Sequence, residues 1–313
     1  MTSSNSTGTA PAPSGEQYEI TSGSYRAVIT EVGATLRVLQ VGEVDILSGF
    51  AEGDRISAGH GQQLIPWPNR IRDGRYSFGG TDFQLALSEP ERNNAIHGLV
   101  RWMPWNVVEH TADTLVQQVR LHPQQGWDAI FDCSITHQLS AAGLAVTVSI
   151  DNVGDVAAPF GYAAHPYFTL GESTVDDVEI SAPAGKYLEV DDRLLPVKLS
   201  PVDGLDEDLR TPAPLGNRDF DTAFTDLATD AGGDQPGAWR VRLALGDRET
   251  FIWGDKGHGW IQIFTGNGHR DVGIAVEPMT CGPDAFNDEL TADGLIVLQP
   301  GDNYTGSWGV YGH

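Results

Sequence analysis

Lysine is nearly missing from this chain of 313 residues: only three stand among its 19 basic side chains, against 43 acidic ones, for a net charge of −24. With so little positive charge there is no basic stripe to neutralise phosphates, which excludes nucleic acid and anionic membrane surfaces as expected partners. Cysteine is scarce as well. Cys133 and Cys281 are too far apart in sequence to form a CxxC metal or redox pair, so a reduced, cytoplasmic setting is expected. No run approaches the roughly 18 apolar residues of a membrane-spanning helix. The opening MTSSNSTGTAPAPSGEQ has neither the positive start nor the apolar stretch of a secretion signal. Residues 1–17 therefore read as a disordered tail, with one folded domain expected over 18–313. Nothing in the sequence sets the oligomeric state.

Helical periodicity is the last notable absence. One short turn at Pro283–Asn287 is the best helix candidate, whereas short β-rich runs recur along the chain. Tyr25–Thr30, Thr114–Leu121, Ile130–Leu139, Leu144–Ile150, Trp239–Leu245, Trp260–Phe264 and Gly273–Val276 each read as strands, several with the in–out alternation of a half-buried sheet. With 37 glycines and 18 prolines to make turns and 40% hydrophobic residues to fill a core, the expected class is all-β, a large antiparallel sandwich. No fixed-length repeat suggests a propeller. Leu199–Asp219, acidic and proline-rich, and Thr229–Gly237 are the expected irregular loops.

Four segments hold more ionisable and aromatic residues than strands require. GQQLIPWPNRIRDGRYSFGG sets Asn69 and Arg70 directly after a Pro-Trp-Pro turn, where an arginine can offer a fork of donors to ligand oxygens or simply be a surface charge. NNAIHGLVRWMPW carries His97 beside Trp102 and Trp105, whose faces could stack on a sugar or fill a core. In FGYAAHPYFTL and VEPMTCGPDAFN, His165 and Glu277 each precede a proline, which holds the backbone extended. Glu277 also ends the apolar run Val272–Val276. A carboxylate there is costly unless it is paired or faces a cleft, so it is either half of a structural ion pair or a functional group.

PNRIRDGRYSFGG, NNAIHGL, GYAAHPYF and AVEPMTCGPDAFN, in this order, resemble the diagnostic segments of the aldose 1-epimerase (galactose mutarotase) family, and LQPGDNYTGSW resembles its closing strands. The likeness runs from about Ile20 to Trp308. It implies a β-supersandwich with a sugar cleft on a concave face, no metal and no cofactor. By motif it implies Glu277 as catalytic base, His165 as catalytic acid, and Arg70, His97 and Asn69 at the substrate-binding segments. A sugar-binding aspartate is also implied. Asp221 is the candidate, with Asp219 and Asp226 close by in the same acidic stretch, and Thr222 follows where the hexose mutarotases commonly have a histidine.

The implied activity is interconversion of the α and β anomers of a free aldohexose. Ring opening needs one group to take the proton of the anomeric hydroxyl and another to give one to the ring oxygen. With Glu277 ionised and His165 protonated, the expected pH profile is a bell, its acidic limb from the carboxylate and its alkaline limb from the imidazole. Two alternatives stand beside this reading: a hexose-6-phosphate 1-epimerase using Arg70, Arg72 and Arg75 as a phosphate cluster, and a sugar-binding protein that does no chemistry.

Overall fold

In the computed structural model, residues 10–171, 174–230, 237–266, 270 and 272–312 are described. The expected strands are present, and four of the seven keep the same bounds: Tyr25–Thr30, Thr114–Leu121, Trp239–Leu245 and Trp260–Phe264. Among the described residues the helical content is two 3-10 turns, Pro90–Arg92 and Val175–Asp177. Pro283–Asn287 is a chain of turns without a helix. The packed chain begins earlier than Tyr18: Ser14 is fully buried and Gln17 already pairs with Thr30. Residues 231–236 of the second expected loop lie outside the described residues.

Two large antiparallel sheets dominate, one of nine strands and one of eight. In the nine-stranded sheet, Phe131–Ser140 and Gly143–Asn152 alternate buried and accessible residues along most of their length, because one face meets the core and the other meets solvent. Val146, Val148 and Ile150 on that inner face join one continuous apolar cluster with Ile261, Ile263, Ile274 and Val276 of the eight-stranded sheet. Each such side chain contributes about 1.5–3 kcal/mol by leaving water, and their interdigitation makes the sandwich.

The central strands of the eight-stranded sheet are covered on both faces. Trp260–Phe264 and Ile274–Met279 are buried almost throughout, so their sequences read as apolar runs rather than alternating ones. The period of two still sorts their side chains. Ile261, Ile263, Ile274 and Val276 face the sandwich core, while Trp260 and Met279 join Leu64, Ala163, Leu188 and Ala223 in a second cluster on the opposite face. Gln262 and Glu277 share that second face, directly opposite one another across the strand pair. Glu277 is thus the fourth residue of its strand, not a residue beyond its end.

The core also holds a misfit. His137 occupies an inward position of Phe131–Ser140, fully buried, with neither ring nitrogen hydrogen-bonded. Burial pushes it down to about 3. A histidine whose folded-state value is depressed contributes stability above its unfolded value that is lost as pH falls toward the folded value. His137→Leu should therefore be less acid-sensitive than the wild type, the gap growing by about 1.4 kcal/mol per pH unit below pH 6. Urea unfolding at pH 4, 5 and 7 measures this; equal pH slopes for the two proteins would refute it.

Candidate active site

On the second face of the eight-stranded sheet lies a cleft of about 270 Å³. All six residues singled out in the sequence line it: Asn69, Arg70, His97, His165, Asp221 and Glu277. Of the neighbouring acids, Asp219 pairs with Arg270 and Asp226 with Lys186; neither lines the cleft. Trp102 forms part of the wall and is 55% exposed, whereas Trp105 is core.

His165 and Glu277 meet at the floor, with Nε2 and Oε1 3.3 Å apart and both side chains buried. The backbone brings them there. His165 is pinned by its amide to the Gln62 carbonyl and by its own carbonyl to the Gly61 amide, while Tyr167 pairs with Ala275 two residues before Glu277. The His165 ring is held on one side by stacking on Tyr167, which stacks in turn on His60, and it meets His97 edge-on at 5.4 Å. Gly59 closes another side. It adopts a φ of +76°, and a Cβ there would lie 2.8 Å from Cδ2 of His165, so only glycine lets the loop come this close.

Burial sets the electrostatics of the pair. Desolvation raises the Glu277 carboxyl well above the ordinary range, and Asp221 adds to the rise against the pull of Arg70. Desolvation also pushes His165 down to about 3, with the charges of His60 and Arg101 acting in the same direction. His97 is held well below its usual value, chiefly by burial, then by His165. The pair therefore favours one shared proton and no net charge.

Arg70 is fixed by a fork onto Glu89, at 2.9 Å from Nε to Oε2 and 3.0 Å from Nη2 to Oε1. Burial alone would raise Glu89, but hydrogen bonds from Arg70 and Asn94 and the charges of Arg70 and Arg92 outweigh it and hold the carboxyl below the ordinary value. Nη1 of Arg70 donates to Oδ1 of Asn69 at 3.1 Å, and Nη2 lies 4.0 Å from Asp221. Asp221 in turn accepts from Gln262 Nε2 at 2.7 Å. Asn69 and His97 both have positive φ, at 50° and 64°, and the His97 amide donates to the Asn69 carbonyl. For histidine this backbone costs on the order of 1–3 kcal/mol, strain that the surrounding structure holds in place. The loop turns on Gly98, where a Cβ would lie 2.1 Å from the Ile65 carbonyl oxygen.

The supposed phosphate cluster is dispersed. Arg70 lines the cleft, forked onto Glu89, whereas Arg72 pairs with buried Asp284 and Arg75 bonds Gln84 beside a different surface hollow. Residues that sequence reasoning missed are Glu89, Gln262, Tyr167, Arg101 and Gly59. For Glu89, Tyr167, Arg101 and Gly59 the one available signal was position inside or beside the four dense segments, and Gln262 had none. No group of three or more His, Cys, Asp or Glu side chains suited to a metal ion occurs among the described residues.

A two-sheet β sandwich whose buried histidine and carboxylate meet under an open polar cleft defines a class of acid–base sites on an all-β scaffold. The chain belongs to the aldose 1-epimerase family, a family of isomerases, which it matches over residues 16–310. It is 31% identical to the uncharacterized protein YihR of Escherichia coli, over 96% of this chain and 94% of that one. It is 28% identical to human galactose mutarotase, covering 92% and 91% of the two. In fold it resembles a galactose mutarotase-like protein from Clostridium acetobutylicum, with a TM-score of 0.84 and 19% identity over 94% of each chain. Galactose 1-epimerase from Lactobacillus acidophilus is similar too, with a TM-score of 0.74 and 20% identity over 93% of this chain and 91% of that one.

Proposed function

We propose that this protein is an aldose 1-epimerase that opens and recloses the hemiacetal ring of an aldohexose, exchanging its α and β anomers. The observation that carries the reading is the His165–Glu277 pair, 3.3 Å apart on the cleft floor. The anomeric hydroxyl and the ring oxygen are bonded to the same carbon, so two groups in contact with each other can reach both. With the pair's shared proton moved onto His165, Glu277 takes the proton of the anomeric hydroxyl and His165 gives one to the ring oxygen. After rotation about C1–C2 the roles reverse and the ring closes on the other face. Arg70, Asn69, His97 and Asp221 hold the sugar hydroxyls, and the Glu89 fork keeps Arg70 from following the substrate as it opens.

Membership of the family and 28% identity to a galactose mutarotase support the same reading. The test is anomer exchange followed by proton NMR on freshly dissolved single-anomer sugars. Exchange well above the buffer rate is expected and should survive EDTA, because side chains alone carry both protons. Sugars that bind without exchanging would make this a binding protein, and activity lost to EDTA and restored by a divalent ion would overturn the mechanism.

A further inference from the structure

The acids of the cleft are each answered by a partner. Glu89 takes Arg70, Arg92 and Asn94, Asp221 takes Gln262, Glu277 faces His165, and Glu91 lies 3.9 Å from Arg92. Arg101 is the exception among the cations. It lines the cleft, yet among the described residues its guanidinium has neither a carboxylate partner nor a hydrogen-bond acceptor; its one recorded contact is the Trp102 ring at 5.3 Å. The backbone beneath it is rigid. The Arg101 carbonyl accepts from Gln62 Nε2 at 2.9 Å, and Gly33 packs so close that a Cβ would stand 2.5 Å from that oxygen.

An arginine cannot shed its charge, so a half-buried guanidinium that no protein acceptor answers is a ready partner for an anion in the cleft. Burial is the cause that lowers Arg101 from its ordinary range. The surroundings make this more telling, since a chain with a net charge of −24 has ample acid to neutralise it and does not.

We propose that Arg101, beside Trp102, binds a singly charged anionic group on the substrate, making the substrate class an anionic aldohexose rather than a neutral one. The inference rests on the epimerase reading for its site and refines it. The position follows from sugar chemistry. The exocyclic C6 is attached to C5, the ring carbon next to the ring oxygen that His165 serves, and Arg101 lines the same cleft as His165 and as His97, whose ring meets His165 edge-on at 5.4 Å. On this assignment a substituent on C6 is the part of a bound sugar that faces this arginine. One unanswered cation matches one negative charge. A phosphate dianion would bring a second charge into a wall that also carries Glu91 and Asp221.

The experiment compares glucose, glucuronate, glucose 6-sulfate and glucose 6-phosphate on the full chain, measuring anomer exchange by NMR and affinity by calorimetry. The better of the two monoanions should exceed glucose in kcat/KM by about 10- to 100-fold, the size of one charge-assisted hydrogen bond. It should also exceed the 6-phosphate. Arg101→Gln should erase the preference for the monoanion over glucose, and Arg101→Lys should retain part of it, which separates lost charge from a damaged fold. Glucose equal to or better than both monoanions, or a preference that survives in Arg101→Gln, overturns the proposal while leaving the epimerase reading intact. A 6-phosphate preferred over both overturns the single-charge assignment. Arg101-dependent binding of a monoanion without exchange supports the proposal and overturns the epimerase reading instead; no binding and no exchange overturns both.

Discussion

Glu277→Gln should lower kcat by about 10²–10⁴-fold, the usual contribution of a positioned proton transfer, and should at the same time make the protein more stable at alkaline pH. The two effects share a cause. Oε2 of Glu277 is buried without a hydrogen-bond partner, and burial raises the carboxyl well above the ordinary range. An acid whose folded-state value is raised above its unfolded one burdens the fold as pH climbs past the unfolded value, because the unfolded chain ionises first. Glutamine is neutral and escapes that burden. The gap in unfolding free energy should widen from near zero below pH 4.5 to about 1–3 kcal/mol by pH 8, on the scale of one unsatisfied buried group. Thermal melts across pH and NMR exchange rates measure both halves. Near wild-type turnover would remove the carboxylate from the chemistry, and a gap independent of pH would show that its proton is not held as described.

The second large effect is in the pH profile. Unperturbed values put the acidic limb of kcat/KM on the carboxylate and the alkaline limb on the imidazole; burial reverses the assignment. Adding a proton to the one-proton pair makes a buried cation, which His165 resists down to about 3, and removing it leaves a lone buried carboxylate, which the raised Glu277 resists in the other direction. The plateau should accordingly be wide, its acidic limb belonging to His165 and its alkaline limb to Glu277, as macroscopic values of a coupled pair. His165→Asn should reduce kcat by at least about 10²-fold, and its residual activity should lose the acidic limb while keeping the alkaline one. The opposite pattern, an intact acidic limb and a missing alkaline one, would return the limbs to the unperturbed order.

What could be read from the sequence follows burial closely. Strands wetted on one face, such as Gly143–Asn152, announce themselves by alternation, and five of the six cleft residues lie in segments whose prolines, glycines and aromatics exceed what strands need, while Asp221 was reached only through the family resemblance. Gln262 was invisible because Trp260–Phe264 is covered on both sides, so that a polar residue inside WIQIF carries no label of which face it serves. In SEPER nothing in the sequence sets Glu89 apart from Glu91; the Arg70–Ile96 strand pairing brings it onto the guanidinium. The reversed limb order was out of reach for a different reason. Composition gives the net charge, but the depth at which a single carboxyl sits is decided by packing alone.

The sharing of one sheet face by Gln262, Glu277 and Asp221 has a bearing on how activity is acquired during folding. The cleft draws on chain from Ala58 to Glu277, and its floor exists only once Asp221–Leu227, Trp260–Phe264 and Ile274–Met279 have paired in register and His165 has docked against them. A slip of one residue in any of these strands would turn its contribution from the cleft into the apolar core. Their large separation in sequence makes such pairings slower to close than local hairpins such as Phe131–Asn152, by the entropy of the longer loops. Assembly of the cleft therefore depends on the whole sheet at once: a fragment that ends before Met279 should lack a working site, and any activity regained on refolding should follow the pairing of these strands rather than precede it.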